Sequence, residues 1–215
     1  MSQESTSPKL KWILVAVIGA SLCVVGAIVL FMVYPPSEYR AAADLQARGF
    51  KIRYGWQDKK DKQYPIAVIG ENLSVTKDDC RLICQLPRLL DLGFQRCDLS
   101  GLNLDNIGNC RELRSFCCDD VTPFPVDEIR KLTVCPVNGF WFTNTRLNDS
   151  DLENLVKWTT VGHLDLRDNT GITDAGFEHL EKIASLRRLD IRGTRITKEG
   201  IEEFQRKRSD VDVAF

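Results

Sequence analysis

The chain has 215 residues, 43% of them hydrophobic and 27% charged, which is the balance of an ordinary folded protein. Lys and Arg together number 29 against 30 Asp and Glu, so positive charge is not in excess. Because binding to a phosphate backbone depends on a basic surface, this composition argues against a nucleic-acid partner.

The first distinctive stretch runs from Trp12 to Tyr34 and contains no charged residue. As a helix, this stretch would be roughly 35 Å long, enough to cross a bilayer. Trp12 and Tyr34 stand at its two ends, where aromatic side chains suit the membrane interfaces. A cleaved signal peptide is the alternative, but its apolar region is only about 7 to 15 residues long. Residues 12–34 are therefore predicted to form an uncleaved transmembrane helix.

The charges around this segment predict its orientation. Lys9, Lys11 and the free amine precede it, whereas acidic and basic residues are mixed after it. Positive charge favours the cytoplasmic side of a membrane. Residues 1–11 are therefore expected to be the cytoplasmic tail of a single-pass protein of the cell membrane, with the rest of the chain outside the cytoplasm.

Residues 37–64 are predicted to form the first unit of the folded domain. Ser37 can act as the N-cap of a helix over Glu38 to Arg48, and Gly49 is a natural stop. Residues 50–54 alternate like a strand, and the charged residues 55–64 are predicted to be a loop. Almost no linker follows Pro36, so the domain is expected to sit close to the membrane.

From residue 65 to residue 215 an apolar pattern recurs about every 24 residues. Residues 89–99 read LxxLxLxxCxL, and the copies near residues 161 and 186 match each other through an IT(D/K)xG turn, with one inserted residue near Asn169. The apolar positions of the successive copies include Leu89, Leu92, Phe94 and Leu99, then Leu113, Phe116, Cys118 and Val121, then Val137, Phe140, Phe142 and Leu147. Val68 and Val75 continue the register upstream, and Val213 and Phe215 continue it downstream.

This pattern resembles the leucine-rich repeat, with one strand and one helix per turn of a solenoid. The turn sequence and the repeat length are similar to bacterial leucine-rich-repeat proteins related to the ribonuclease-inhibitor type. The resemblance implies an α/β solenoid over residues 65–215, with a parallel sheet on one face and helices on the other, preceded by the single transmembrane helix. Residues 37–64 resemble the N-terminal cap of such proteins, which covers the open end of the first repeat.

The repeat register predicts that most of the seven cysteines after the anchor are core residues. Two helical columns are mainly apolar and are expected to face the core: Cys80, Leu104, Glu128, Leu152, Phe177 and Ile201, and Leu86, Cys110, Val134, Trp158 and Ile183. Cys118 takes an apolar strand position. Cys97 shares its column with Thr145, Asn169 and Thr194, where the side chain is expected to bond the neighbouring turn.

Cys117 and Cys135 fall outside these core columns. A disulfide framework is the alternative for the cysteines as a group, and an odd number would leave at least one free thiol. Cys80 and Cys84 have the spacing of two metal ligands on one helix face, but no nearby His or CxxC pair completes four ligands. No metal site is therefore predicted.

The positions between the apolar strand residues point away from the core, because side chains alternate across a sheet. Neighbouring strands lie about 4.8 Å apart, so these positions form rows. The candidate binding patch on this surface consists of Trp141, His163, Asp165, Arg167, Arg188, Asp190 and Arg192. Trp141 would be its exposed aromatic anchor, with the arginines as polar partners. The alternative is a solvated face whose Asp and Arg rows neutralise each other.

The best nucleophile and base pairing that the chain offers is Cys117 with His163. These residues are two repeats apart, roughly 10 Å at sheet spacing, whereas direct proton transfer needs about 3 Å. No phosphate loop, GxSxG or HExxH motif is present. The chain is therefore predicted not to be an enzyme and to use no cofactor.

The predicted function is that of a membrane-anchored leucine-rich-repeat module for protein interaction or recognition through the exposed sheet face. A protein is the expected partner, and a glycan or cell-wall component is the alternative ligand. The alternative function is a structural or assembly subunit of a membrane complex, in which another chain covers the open end of the solenoid.

Overall fold

The computed structural model describes residues 36–56, 63–155 and 160–215. The predicted cytoplasmic tail and transmembrane helix, residues 1–34, lie outside the described residues, as does Trp158. None of the helices within the described ranges is both long enough and apolar enough to span a bilayer.

Strands and helical segments alternate along the described chain. The strands are β1 (Lys51–Trp56), β2 (Gln63–Glu71), β3 (Asp91–Gln95), β4 (Ser115–Asp119), β5 (Gly139–Thr143), β6 (His163–Asp165), β7 (Arg188–Asp190) and β8 (Asp212–Ala214). The α-helices are α1 (Ser37–Ala47), α2 (Lys77–Ile83), α3 (Val126–Ile129), α4 (Asp149–Leu155), α5 (Asp174–Leu180) and α6 (Lys198–Lys207), and 3₁₀ helices cover Ile107–Asn109 and Arg130–Val134.

These strands form one sheet in chain order. β1 pairs antiparallel with β2, and every later pair from β2 to β8 is parallel. The Cα partners from β3 to β8 are Asp91, Ser115, Gly139, His163, Arg188 and Asp212. This register is the one that the LxxLxL alignment requires, so the predicted solenoid with a parallel sheet is confirmed.

Alternate strand residues point into a core that all the repeats share. Phe94 and Phe116 have ring centroids 6.1 Å apart, and those of Phe140 and Phe142 are 5.6 Å apart. On the helical side, Phe177 of α5 stacks on Phe204 of α6 at 4.4 Å. Each fully buried Phe contributes about 1.5–3 kcal/mol from its removal from water. Neighbouring repeats are therefore joined through both the strands and the helices.

Each strand from β2 to β7 is followed by a residue with left-handed backbone conformation. These residues are Asn72, Arg96, Asp120, Asn144, Asp168 and Gly193, with φ between 50° and 75°. The backbone amide of such a residue donates to the next repeat, as Asn144 N does to Arg167 O at 2.9 Å. Asn, Asp and Gly adopt this conformation most readily, which accounts for five of the six. Sequence analysis did not identify this column.

The prediction that the column of Asn169 bonds the neighbouring turn is confirmed at this residue, whereas Cys97 Sγ and Thr194 Oγ1 donate to Gln95 O and Ile191 O of their own repeats. The buried Oδ1 of Asn169 accepts from the backbone amides of Thr145 and Leu147, both at 3.0 Å. Its Nδ2 donates to the carbonyls of Phe142 at 2.6 Å and Leu166 at 2.9 Å. One side chain therefore satisfies four backbone groups in two consecutive repeats.

The first helix begins one residue earlier than predicted, so the assignment of Ser37 as its N-cap is wrong. Ser37 lies inside α1, and no side chain caps this helix. Instead the carbonyl of Pro36 accepts from Tyr39 N at 3.0 Å and from Arg40 N at 3.3 Å. Gly49 does end the segment, with φ at 96°. The predicted loop over 55–64 is wrong at both ends, because β1 continues to Trp56 and β2 begins at Gln63; residues 57–62 lie outside the described residues.

The helical column through Val134 was predicted to face the core, and at this position the prediction is wrong. Val134 is 69% exposed, whereas Leu132 and Cys135 are buried. The reason is the 3₁₀ helix Arg130–Val134, whose tighter turn of three residues shifts the inward positions. Cys135 is therefore a core residue, although its sequence position falls outside the core columns.

All seven cysteines from Cys80 to Cys135 are free thiols. Cys80, Cys97, Cys110 and Cys118 are buried, as the repeat register predicts. Cys80 Sγ accepts from Asn103 N at 3.2 Å, and Cys135 Sγ donates to Ile107 O at 3.3 Å. These thiols act as small buried side chains that bridge consecutive repeats.

Candidate functional site

The outward side chains of β2 to β7 form three rows, because each residue lies beside its partner in the next strand. We call this surface the sheet face. Its first row is Asp91, Ser115, Gly139, His163 and Arg188, its second is Ile69, Gly93, Cys117, Trp141, Asp165 and Asp190, and its third is Glu71, Gln95, Asp119 and Thr143. Arg167 and Arg192 continue the third row two residues beyond the ends of β6 and β7. Five of the seven patch residues therefore lie in the paired strands, and Asp165 among them is buried.

Trp141 lies along the sheet rather than projecting from it. A Cβ added to Gly139 would be 2.4 Å from Cη2 of the indole, so the ring occupies the space that the glycine leaves free. The indole also packs against His163 of β6, with the ring centroids 5.0 Å apart. Trp141 is half-buried as a result. It was expected to be an exposed anchor, and this detail is corrected.

The acidic and basic residues of β6 and β7 form a connected ladder. Arg167 binds Asp165 through Nη2 at 2.7 Å and reaches Asp190 Oδ2 at 3.7 Å. Arg192 Nη2 binds the same Asp190 oxygen at 2.6 Å. The hydrogen bond from Arg192 lowers the pKa of Asp190, and the hydrogen bond to Asp165 raises the pKa of Arg167. This pairing is the mutual neutralisation that the sequence left as an alternative.

Besides Trp141, two members of the candidate patch take no part in this ladder. Arg188 is exposed and its Nε lies 3.5 Å from Asp212 Oδ2. His163 is half-buried beside Trp141, and burial lowers its pKa, with the positive charge of Arg188 acting in the same direction. His163 is therefore neutral at physiological pH and serves as a flat apolar neighbour of the indole.

Cys117 and His163 do not form a nucleophile and base pair. β5 lies between their strands, and Cys117 is beside Trp141 whereas His163 is beside Gly139. Burial raises the pKa of Cys117 to about 11, so its thiol is protonated at neutral pH. Neither geometry nor protonation state suits nucleophilic catalysis by this pair.

The N-terminal half of the sheet face carries a feature that sequence analysis missed. A hollow of about 310 Å³ opens over Gly93, between Ile69 and Cys117. A Cβ on Gly93 would be 3.6 Å from Cys117 Cβ and 3.9 Å from Ile69 Cγ1, so the space exists because residue 93 has no side chain. We call it the Gly93 hollow. The sequence does contain a signal for this apolar surface: Val68 is an inward strand residue, so its neighbour Ile69 must face outward.

Comparison with known proteins adds to this geometry. The leucine-rich repeat family model matches residues 159–180 and 182–204, which include β6 and β7. These two segments are leucine-rich repeats. The matching segments cover the IT(D/K)xG turns, and β2 to β5 continue the same strand register outside them. Leucine-rich repeats are typically modules for protein–protein interaction.

Two solved bacterial structures are similar to this chain. A leucine-rich-repeat protein of Leptospira interrogans is 18% identical with a TM-score of 0.42, over 62% of this chain and 39% of that one. An internalin of Listeria monocytogenes is 13% identical with a TM-score of 0.39, over 67% of this chain and 52% of that one. The similarity therefore spans less than two thirds of either protein. No curated protein matches the chain in sequence.

Proposed function

We propose that the chain is a membrane-anchored leucine-rich-repeat module that binds a protein partner through its sheet face. Residues 12–34 are the anchor in this proposal, and the repeats lie outside the cytoplasm. The observation that carries it is the continuous register from β2 to β7, which presents three aligned rows of side chains on one surface.

The composition of the sheet face supports a protein as the ligand. Trp and Arg are enriched at protein interfaces and at their energetic centres. Trp141 is held by Gly139 and His163, and Arg167 is held by two carboxylates. Side chains that are already ordered lose little conformational entropy when a partner binds. A glycan or cell-wall component is the alternative ligand, and we assign the module no catalytic activity.

The position of the first helix supports a partner near the membrane. α1 begins at Ser37, three positions after Tyr34, the predicted end of the anchor. The side chain of Arg48 then binds the buried Asp79 at 2.9 Å, and Asp79 also accepts from Thr76 N at the start of α2. The proposed cap therefore joins the anchor to the repeats without a long tether. We include the ribonuclease-inhibitor-related repeat type in this proposal.

Photo-crosslinking in the native membrane tests the proposal. A photoreactive amino acid is placed at Ser115, Thr143 or Arg188 on the sheet face, with Glu178 and Glu202 on exposed helical positions as matched controls. We expect crosslinks to one protein from the sheet face and none from the helices. Crosslinks only from the helical positions would contradict the proposal. A further probe replaces the exposed Phe215, and crosslinks concentrated there would favour the alternative role as an assembly subunit.

Protease accessibility tests the orientation. A protease added to intact cells is expected to cut the repeat domain and to spare residues 1–11. Protection of the repeats in intact cells, with cleavage after the membrane is opened, would place the domain in the cytoplasm and contradict this part of the proposal.

A further inference from the structure

The floor of the Gly93 hollow is apolar. Ile69 is 38% exposed there, and Gly93 adds no polar side-chain atom. Cys117 contributes a thiol whose raised pKa keeps it uncharged, and an uncharged thiol behaves as a small apolar group. Pockets for whole small molecules measure about 300–1,000 Å³, so a hollow of about 310 Å³ is at the lower limit. It suits a single side chain of a larger ligand.

The charges at one side of this hollow are already compensated. Arg53 pairs with Asp91, and Glu71 pairs with both Lys51 and Arg96. The same holds in the ladder of β6 and β7, where Arg167 and Arg192 compensate the carboxylates.

The opposite side of the hollow is different. Asp119, which also lines it, receives a hydrogen bond from the neutral amide Gln95 Nε2 at 2.8 Å. Asp120, the next residue, likewise accepts from the amide Asn144 Nδ2 at 3.0 Å. Within the described ranges, no Lys or Arg nitrogen lies within the 4.0 Å of an ion pair from either carboxylate. This edge of the sheet face therefore carries uncompensated negative charge beside an apolar hollow.

The spacing of these two features restricts the ligand. Cys117 and Asp119 are two residues apart on β4, so they are separated by about 6.6 Å along the strand. An extended peptide places alternate side chains on the same side at that spacing. An apolar residue and a basic residue at positions i and i+2 of one segment would meet the hollow and the carboxylate together.

On the basis of the proposed function, we infer that the protein partner inserts one aliphatic or aromatic side chain into the Gly93 hollow and places a Lys or Arg, two positions away, on Asp119. The apolar floor selects the first residue and charge complementarity selects the second. Trp141, in the next position of the same row, extends the contact surface beyond the hollow.

A library of displayed random peptides tests this inference on the full-length chain in lipid nanodiscs. Selected sequences are expected to pair an apolar residue with Lys or Arg two positions away. The affinity of a synthetic peptide of the enriched sequence should fall at least about tenfold for the Gly93→Leu protein, because the leucine fills the hollow. The Cβ added at residue 93 would meet Cys117 and Ile69 at ordinary contact distance, and the rest of the leucine enters the hollow, so the fold is expected to be kept. Thr133→Leu, at an exposed position of the 3₁₀ helix Arg130–Val134 and away from the sheet face, is the matched control and should not change the affinity.

A charge reversal provides a second readout that does not depend on filling the hollow. When Asp119, at the rim of the Gly93 hollow, is replaced by Lys, the selected peptides should carry Asp or Glu in place of the basic residue. Peptides without a shared pattern, or a pattern unchanged by both variants, would overturn the inference. If crosslinks still place a partner on the sheet face in that case, the proposed function stands and this inference alone fails.

Discussion

Trp141 covers Gly139, with its Cη2 only 2.4 Å from the place that a Cβ on residue 139 would occupy. The two residues are on the same strand, and both belong to outward rows of the sheet face. The glycine thus allows the indole to lie flat, where His163 holds its other side. The shape of the centre of the candidate patch depends on the absence of one methyl group.

Gly139→Ala is expected to displace the indole of Trp141 from the sheet. Because the atom that must move belongs to a surface side chain, the free energy of unfolding should fall by less than about 1 kcal/mol. The tryptophan emission should shift to longer wavelength as the ring enters water. The emission spectrum of Trp141→Phe is subtracted both in the wild type and in the Gly139→Ala protein. This difference isolates the indole of Trp141 from the other three tryptophans. An unchanged difference spectrum would contradict the described packing.

Asn169→Ala should be among the most destabilising substitutions in the repeats. It leaves the buried amides of Thr145 and Leu147 without their acceptor, at a cost of about 1–3 kcal/mol each. We expect a loss of about 3 kcal/mol or more, measured by urea unfolding.

Asn109→Ala is the control for the asparagine substitution. Asn109 is exposed in the 3₁₀ helix Ile107–Asn109, so its replacement should change the free energy of unfolding by about 0.5 kcal/mol or less. Equal losses for the two variants would show that the Asn169 hydrogen bonds are not needed for stability.

Gly193→Ala tests the column of left-handed residues. Gly193 has φ at 75°, and an added Cβ would also lie 2.3 Å from Asp168 Oδ1. The left-handed conformation alone costs an L-residue about 1–2 kcal/mol, so the midpoint of thermal unfolding should fall. Gly108→Ala is the matched control, because its Cβ would meet the exposed Val134 at 3.4 Å and no positive φ is involved. A control that loses as much as Gly193→Ala would refute the backbone argument.

The lowered pKa of His163 predicts a pH dependence of stability. In the unfolded chain a His titrates near its ordinary value of about 6.5, whereas in the folded chain it accepts a proton only at lower pH. The unfolded state then binds more protons just below this value, so the free energy of unfolding decreases as the pH falls from about 6.5.

His163→Gln should reduce this decrease. Urea unfolding at pH 7.5 and 5.5 measures the decrease in the free energy of unfolding. The slope of this free energy against pH should differ between wild type and His163→Gln more in this range than above pH 7. The lowered pKa of Asp190 acts in a more acidic range and does not interfere. Identical slopes for wild type and variant would exclude His163 as the source.

The strand register could be predicted from sequence because it is repeated. Leu92, Phe116, Phe140, Leu164 and Leu189 recur at nearly constant spacing, and burial of each one favours the same alignment. Val134 could not be predicted in this way, since the repeat there replaces an α-helix by a 3₁₀ helix without changing its length.

The candidate residues were also predictable as neighbours, but their contacts were not. The contacts of Arg167 depend on the rotamers of side chains from two repeats, because it binds Asp165 and also reaches Asp190. The same applies to the Gly93 hollow, which is an absence of atoms between Ile69 and Cys117 rather than a residue type.

The inserted residue in the repeats also has a practical consequence. The spacing along the chain from Asn169 to Thr194 is one position longer than the spacing from Ile172 to Ile196. Leu164 and Leu189 nevertheless remain direct partners in β6 and β7. The exposed Thr170 and Gly171 therefore absorb a change in chain length before it reaches the sheet. An epitope or fluorophore-binding peptide grafted at this bend would report on the protein in cells while leaving its recognition surface untouched.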